Sequence, residues 1–281
     1  MKYIDCEKYA KEILDEVKQV NHTKYFAIVS VGDNPASQSY IKGKIKDCEY
    51  CGIPYVHTNI DVKSELEARY ELRDVLLDLK YDDNVSAIIL QLPLPQGWDE
   101  QTYLNLIPPE KDVDGLTKDS KFLPCTPEGI VHVLKKELGD LEGKTALIIG
   151  RGKLVGRPLF DLLLNENCTV TIAHSKTRNL FSMLMLGGYD IVVVATGRPK
   201  LVNLQLLNKN TKIVIDAGVN KVDGKLCGDC YKYDEEVCDV LVTPVPKGIG
   251  LMTRAMLMKH IAEINKTELE RPISTVKTKN N

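Results

Sequence analysis
Most of the reactive chemistry in this sequence sits in a tyrosine–lysine pair, a glutamine that ends an apolar strand, and a turn with three glycines. Tyr40 and Lys44 lie in Ser37-Gln-Ser-Tyr40-Ile-Lys-Gly-Lys44-Ile-Lys-Asp-Cys48. Ile41, Ile45 and Cys48 repeat there at i, i+4 and i+7, which predicts a helix with one buried stripe. Tyr40 and Lys44 are also i, i+4, so they stand together on an adjacent edge of that stripe. A lysine at the margin of a core face can simply extend its head to water. Held out of water beside a tyrosine, it becomes a candidate general acid or base.

Gln91 follows the apolar run Ala87-Ile-Ile-Leu90 and opens Gln91-Leu-Pro93-Leu-Pro95-Gln-Gly97, whose prolines forbid continuation in sheet or helix. Ligands of open α/β sheets bind at the carboxyl ends of strands, which puts Gln91 at a site edge. The third stretch is Ala146-Leu-Ile-Ile149-Gly150-Arg151-Gly152-Lys-Leu-Val155-Gly156-Arg-Pro158, followed by the apolar-periodic Leu159 to Leu164. Strand, glycine turn and helix form the context of a dinucleotide-binding turn, with Gly150, Arg151, Gly152, Val155 and Gly156 facing the cofactor. The spacing G-x-G-x-x-x-G is one residue longer than the common fingerprint, and a ligand-free tight turn uses glycines too.

The next strand, Cys168 to Ala173, is where an acidic residue would grip the ribose of NAD. The sequence offers His174, Ser175, Lys176 and Arg178 instead, and a hydroxyl among cations suits the 2′-phosphate of NADP. Tyr189 to Thr196 and Lys212 to Asp216 predict two more buried strands, with Thr196 and Val219 cofactor-facing at or just beyond their ends.

These residues need a scaffold, and the hydrophobic pattern supplies an α/β one. Helices are predicted over Cys6 to Val20, Ser37 to Cys51, and Ser64 to Leu79 with a Ser64-x-x-Glu67 capping box. Another runs from Thr126, as N-cap before Pro127, to Leu138. Strands are predicted over Tyr25 to Val31, Tyr55 to Val62 and Ala87 to Leu90. A last helix follows Gly250, and Thr267 to Asn281 reads as a loose tail. Strand–helix alternation through the second half predicts a doubly wound parallel sheet.

The chain has 281 residues, enough for two domains, and a formal charge of −2 with one Trp and four Phe. That excludes a basic, base-stacking surface for nucleic acid. No apolar run reaches membrane-spanning length, and Met1-Lys-Tyr-Ile-Asp5 lacks the apolar segment of a signal peptide. The expectation is a cytoplasmic protein. Eight cysteines include two C-x-x-C spacings, Cys48/Cys51 and Cys227/Cys230, with Cys238 further on. No histidine stands at ligand spacing from either pair, so packed thiols are expected and no metal site. Asp112 and Asp114 lack the third carboxylate of a calcium loop.

Five stretches together resemble the bifunctional methylenetetrahydrofolate dehydrogenase/methenyltetrahydrofolate cyclohydrolase family of one-carbon metabolism. They are Val31 to Lys46 around Tyr40 and Lys44; Gln91-Leu-Pro-Leu-Pro95; Lys111-Asp-Val-Asp114-Gly115; Gly150 to Pro158 with His174-Ser175-Lys-Thr177; and Thr243-Pro-Val-Pro246 with Gly248-Ile-Gly250-Leu-Met-Thr253. The resemblance implies two α/β domains. A folate-binding catalytic domain (1–118, completed by 250–281) accompanies a Rossmann NADP-binding domain (119–249), and members pair as homodimers. It implies oxidation of 5,10-methylenetetrahydrofolate with NADP and hydrolysis of the methenyl product to 10-formyltetrahydrofolate. By the same resemblance, Lys44 is the catalytic lysine, held by Gln91, with Tyr40 stacking on the aminobenzoate ring. Asp114 binds the pterin, and Gly250 and Leu251 border the folate. Arg151 and Ser175 take the NADP phosphate, and Thr253 lies near the nicotinamide.

Two departures stand out. Gly152 replaces the family's serine, and Lys247 and Leu251 replace a glycine and a proline. The residues alone leave two other readings open, an NADP-dependent dehydrogenase of another small substrate and a non-catalytic NADP-sensing module.

Overall fold
The computed structural model describes residues 1–232 and 240–269; Cys238 and residues 270–281 of the expected tail lie outside them. In chain order the elements begin with β1 (Lys2–Tyr3), α1 (Cys6–Val17), β2 (Tyr25–Val31), α2 (Pro35–Cys51), β3 (Tyr55–Ile60), α3 (Glu65–Tyr81), β4 (Val85–Leu90) and α4 (Glu100–Leu104). There follow α5 (Cys125–Leu138), β5 (Thr145–Ile149), α6 (Gly156–Asn165), β6 (Thr169–Ala173), α7 (Leu180–Leu186), β7 (Ile191–Val194) and β8 (Val202–Asn203). The chain continues through β9 (Ile213–Asp216), β10 (Asn220–Val222), β11 (Lys225–Cys227), β12 (Cys230–Tyr231), β13 (Leu241–Val242) and α8 (Ile249–Leu269). The structure is two-domain α/β, built on two separate parallel sheets.

The chain divides into two compact units. One comprises Leu14–Val113, Thr117–Lys121 and the residues from Met258 onward, and it holds a parallel sheet in the order β3-β2-β4. All six residues of β4 are buried, as are the last six of central β2, whereas β3 is half-buried or exposed up to Asn59. Continuous apolar strands therefore lie where both faces are covered. Helix α3 buries Ala68, Leu72 and Leu76 along one stripe, and Ser64 accepts the Glu67 N–H at 3.5 Å, as the capping box predicts. At its other end the Lys111 ammonium donates to the carbonyls of Leu79 (3.0 Å), Lys80 (3.1 Å) and Asp82 (2.7 Å). A cation there satisfies helix carbonyls that have no partner within the helix.

The other unit comprises Met1–Ile13, Asp114–Leu116 and Phe122–Leu257, and carries a six-stranded parallel sheet ordered β1-β13-β9-β7-β5-β6. Strands β7 and β9 are wholly buried, and edge strand β6 is not. This is the Rossmann-type, doubly wound arrangement expected from the glycine turn.

Two local expectations are corrected, and the compact units group two segments differently from the domain bounds that the resemblance implies. Met1–Ile13 belong with the six-stranded unit rather than with residues 14–113, because β1 adds a parallel edge strand. Lys2 N–H donates to Val240 O (3.0 Å) and Ile4 N–H to Val242 O (2.9 Å). Only the part of α8 from Met258 joins the three-stranded unit, where His260 Nδ1 meets Val113 O at 2.8 Å. Helix α8 continues through Leu269, three residues into the expected tail. Finally, α5 begins at Cys125 with Pro124 as N-cap and no side-chain cap bond; Thr126 pairs with Thr253 instead, Oγ1 to Oγ1 at 2.9 Å.

Candidate active site
In the three-stranded unit, α2 follows β2 and carries Tyr40 and Lys44, while Gln91 follows β4 on the neighbouring strand. Lys44 is 6% exposed, deeper than the helix margin the sequence implies, while Ile45 of the expected stripe is only half-buried. The buried face runs through Ile41, Lys44, Cys48 and Cys51, so the lysine occupies a core position. Its Nζ donates to Gln91 Oε1 at 2.9 Å. Gln91 Nε2 donates to Leu92 O at 2.8 Å, which fixes the amide with its oxygen toward the lysine. Tyr40, one turn earlier, is half-buried. A buried amine oriented by an uncharged acceptor is equipped to move a proton for a bound substrate.

Cys48 and Cys51 share this face as buried thiols, pushed up to about 12 by burial, and thus lack thiolate character. Among the described residues, no group of three or more His, Cys, Asp or Glu is placed to hold a metal ion.

The segment before Asp114 is tightly held. Asp112 forms a parallel bridge with Ile88 on the edge of β4, and accepts the Thr117 N–H and hydroxyl, each at 2.8 Å. Asp114 itself is half-buried and counts with the six-stranded unit, as do Gly250, Leu251 and Thr253. Thr253 donates its hydroxyl to Ile249 O at 3.0 Å, the back-bond of a helix interior. Lys247, at φ +75°, adopts a left-handed conformation that the family's glycine takes without strain, and its ammonium pairs with Glu7 at 3.1 Å. Its charge is therefore directed to α1.

In the six-stranded unit a pocket of about 390 Å³ opens where β5, β6 and β7 end. Gly150, Arg151, Gly152, Ser175 and Thr196 line it. Val155 is the N-cap of α6, and Gly156 is its first residue. Val219 and Thr253 do not line this pocket. His174, Thr177 and Arg198 do, and only the first two lie in a stretch that the sequence reading singled out. Thr177 Oγ1 accepts the His174 N–H at 2.9 Å and so shapes the loop that presents Ser175. Arg198 carried one sequence signal, a cation two residues beyond a strand end.

Gly150 has φ +127°, and a Cβ there would strike Ala195 O; one on Gly156 would strike Gly150 O. Gly152 differs, with open space around the position of a Cβ and no left-handed backbone. The pocket thus combines a close-approach turn, a helix N-terminus, two arginines and three hydroxyl residues, a set that fits a phosphorylated dinucleotide.

Comparison with known proteins divides the chain once, between residues 114 and 124. The tetrahydrofolate dehydrogenase/cyclohydrolase catalytic-domain pattern matches residues 4–114, and the NAD(P)-binding-domain pattern of the same enzymes matches residues 124–269. The chain belongs to the tetrahydrofolate dehydrogenase/cyclohydrolase family. Within the family it is 42% identical over 273 residues to the bifunctional protein FolD of Bacillus cereus, covering 92% of this chain and 93% of that protein. The FolD of Oceanobacillus iheyensis is 42% identical over 257 residues, 88% of each. Among solved structures, the bifunctional dehydrogenase/cyclohydrolase of Campylobacter jejuni superposes with TM-score 0.86 at 36% identity, covering 95% of this chain and 99% of that one. The Trypanosoma brucei enzyme, solved with NADP cofactor and an inhibitor, gives 0.85 at 28% identity over 96% of this chain and 98% of its own. The chain is thus an enzyme of the bifunctional type.

Proposed function
We propose that this chain oxidises 5,10-methylenetetrahydrofolate with NADP and hydrolyses the methenyl product to 10-formyltetrahydrofolate. The observation that carries the reading is the buried Lys44–Gln91 pair at the switch point of one sheet, accompanied by a dinucleotide pocket at the switch point of the other. NADP, when bound, supplies the hydride acceptor. Arg151, Ser175 and Arg198 hold its phosphates, and the Gly150 turn lets the backbone approach them. Hydride loss needs positioning above all, because the folate nitrogen lone pair drives it.

Hydrolysis needs proton handling. Lys44 takes a proton from water as its oxygen bonds to the methenyl carbon and returns it to N5 as the carbon–N5 bond breaks, and Gln91 Oε1 keeps Nζ oriented. Tyr40 packs on the folate ring system and Asp114 holds the pterin, with Gly250 and Leu251 beside it. Val155, Gly156, Thr196, Val219 and Thr253 complete the cofactor side. In domain terms, residues 1–118 completed by 250–281 carry the folate chemistry and 119–249 bind NADP, although residues 1–13 and 250–257 pack with the six-stranded unit. The protein works in the cytoplasm, where the buried thiols Cys6, Cys48, Cys51, Cys125 and Cys168 stay reduced. It pairs as a homodimer through the six-stranded unit, where α7 exposes Phe181, Met185 and Leu186. No observation favours another small substrate or a non-catalytic module.

The test is a paired spectroscopic assay on purified protein, measuring methylenetetrahydrofolate oxidation with NADP⁺ or NAD⁺, then methenyl hydrolysis without nucleotide. Activity in both, with NADP⁺ preferred, is the expected result. Silence in both would overturn the reading.

A further inference from the structure
The second C-x-x-C stretch, Cys227-Gly228-Asp229-Cys230, is unused by the chemistry above, and the residue between its cysteines is the informative one. Asp229 is fully buried. Its Oδ2 accepts the Thr196 N–H (2.6 Å), the Thr196 hydroxyl (2.7 Å) and the Gly197 N–H (2.9 Å). Its Oδ1 accepts Asn220 Nδ2 at 2.8 Å. One carboxylate thereby ties the loop after β7 to Asn220, which opens β10 just beyond the neighbouring strand β9.

A second buried carboxylate holds the first. Asp216, 4% exposed at the end of β9, accepts the Asp229 N–H (3.0 Å) and the Gly218 N–H (3.0 Å) on Oδ1. Its Oδ2 accepts the Cys230 N–H at 2.8 Å. Burial pushes the Asp216 carboxyl above the usual range, and the backbone N–H groups of Cys230, Asp229 and Gly218 pull it back. The space is fully used: a Cβ on Gly218 would strike Asp229, and one on Gly228 would strike Asp216.

Two buried acids satisfied by N–H and O–H donors are a costly way to fill a core, because an apolar packing of equal volume is often at least as stable. What they provide is geometry. Thr196 lines the dinucleotide pocket, and both its N–H and its hydroxyl proton are committed to Asp229, which fixes the residue in place. Val219 stands between Gly218 and Asn220, one held by each carboxylate.

We propose that Asp229, anchored by Asp216, is a positioning residue for the dehydrogenase step, tying the Gly218–Asn220 segment to the Thr196–Gly197 loop and so setting Thr196 where NADP binds. This rests on the NADP-dependent reading above. The pair is not a metal site, since their oxygens already accept seven hydrogen bonds from protein donors.

The test is Asp229→Asn, which keeps the shape but turns an acceptor into a donor. NADPH affinity is read by fluorescence titration, alongside KM for NADP⁺ and cofactor-free methenyl hydrolysis. Weakening of NADPH binding and a rise in KM for NADP⁺ by about tenfold or more are expected, from the loss of charge-assisted bonds. Hydrolysis should stay within about twofold of the wild type, since a folded three-stranded unit carries its lysine. Asn220→Ala, which cuts only the Oδ1 tie, should shift KM for NADP⁺ in the same direction by a smaller factor, and it carries the test where Asp229→Asn does not fold. Unchanged nucleotide affinity in a folded variant, or an equal fall in both activities with a lower melting temperature, would overturn the proposal. Wild-type protein that binds NADPH but oxidises no folate would defeat the functional reading and leave the affinity comparison to judge Asp229. Wild-type protein that does not bind NADPH would overturn both.

Discussion
Of the three glycines in the nucleotide turn, the backbone demands two. Gly150→Ala would place a Cβ against Ala195 O at φ +127°, a strain of about 1–3 kcal/mol that falls on the pocket itself. Gly152→Ser meets open space and should change stability by no more than about 0.5 kcal/mol. Thermal unfolding and KM for NADP⁺ on the two variants should therefore diverge, the first losing both and the second losing neither. Equal behaviour would contradict this account of the turn. The sequence makes the turn visible because only glycine serves the close approach, but it cannot say which glycine the backbone needs. Lys44 illustrates the converse. Periodicity treats a lysine as polar and sets it at the margin of the helix stripe, whereas the fold buries it because Gln91, distant in sequence, supplies an acceptor. Asp229 was illegible for a similar reason, since all its partners come from other loops.

Among the elements, central strands and amphipathic helices follow directly from the pattern of apolar residues, and ends follow less well. The expected Thr126 cap fails because its hydroxyl has a better-placed partner in Thr253. The carboxyl end of α3 is closed by Lys111, a residue no local rule could nominate. Helix α8 is similarly tied by a distant pair. His22 Nε2 meets Val17 O at 3.1 Å, and Asn265 Nδ2 donates to His22 Nδ1 at 3.0 Å. Nδ1 accepts, so His22 must be neutral in the native state, and burial holds its pKa below the usual value. A lowered histidine pKa contributes stability that is complete above the unfolded value, about 6.5, and is lost as pH falls through that value toward the folded one. The melting temperature is expected to drop between about pH 7.5 and 5.5, by less in His22→Gln. His57, lowered by burial as well, accounts for part of what remains. An identical drop in the variant would show that this tie does not sense pH.

At the scale of the molecule, the same device occurs twice. In each unit three successive strands run parallel with the first of them between the second and third, as β3-β2-β4 and as β6-β5-β7. The residues to which we assign the chemistry lie beyond the carboxyl ends of the strands flanking that reversal, which is where such sheets leave a crevice. Lys44 and Gln91 follow β2 and β4; the glycine turn and Thr196 follow β5 and β7. A chain that binds a dinucleotide at one switch point and holds a buried lysine at the other is suited to two successive reactions on one substrate. The most direct measurement is cofactor-free hydrolysis of 5,10-methenyltetrahydrofolate by Lys44→Met, which keeps the buried stem and removes the amine. A loss of about a hundredfold or more is expected, with NADPH affinity unchanged. Hydrolysis at the wild-type rate would contradict the role given to Lys44, and with it the reading of the three-stranded unit as the catalytic one.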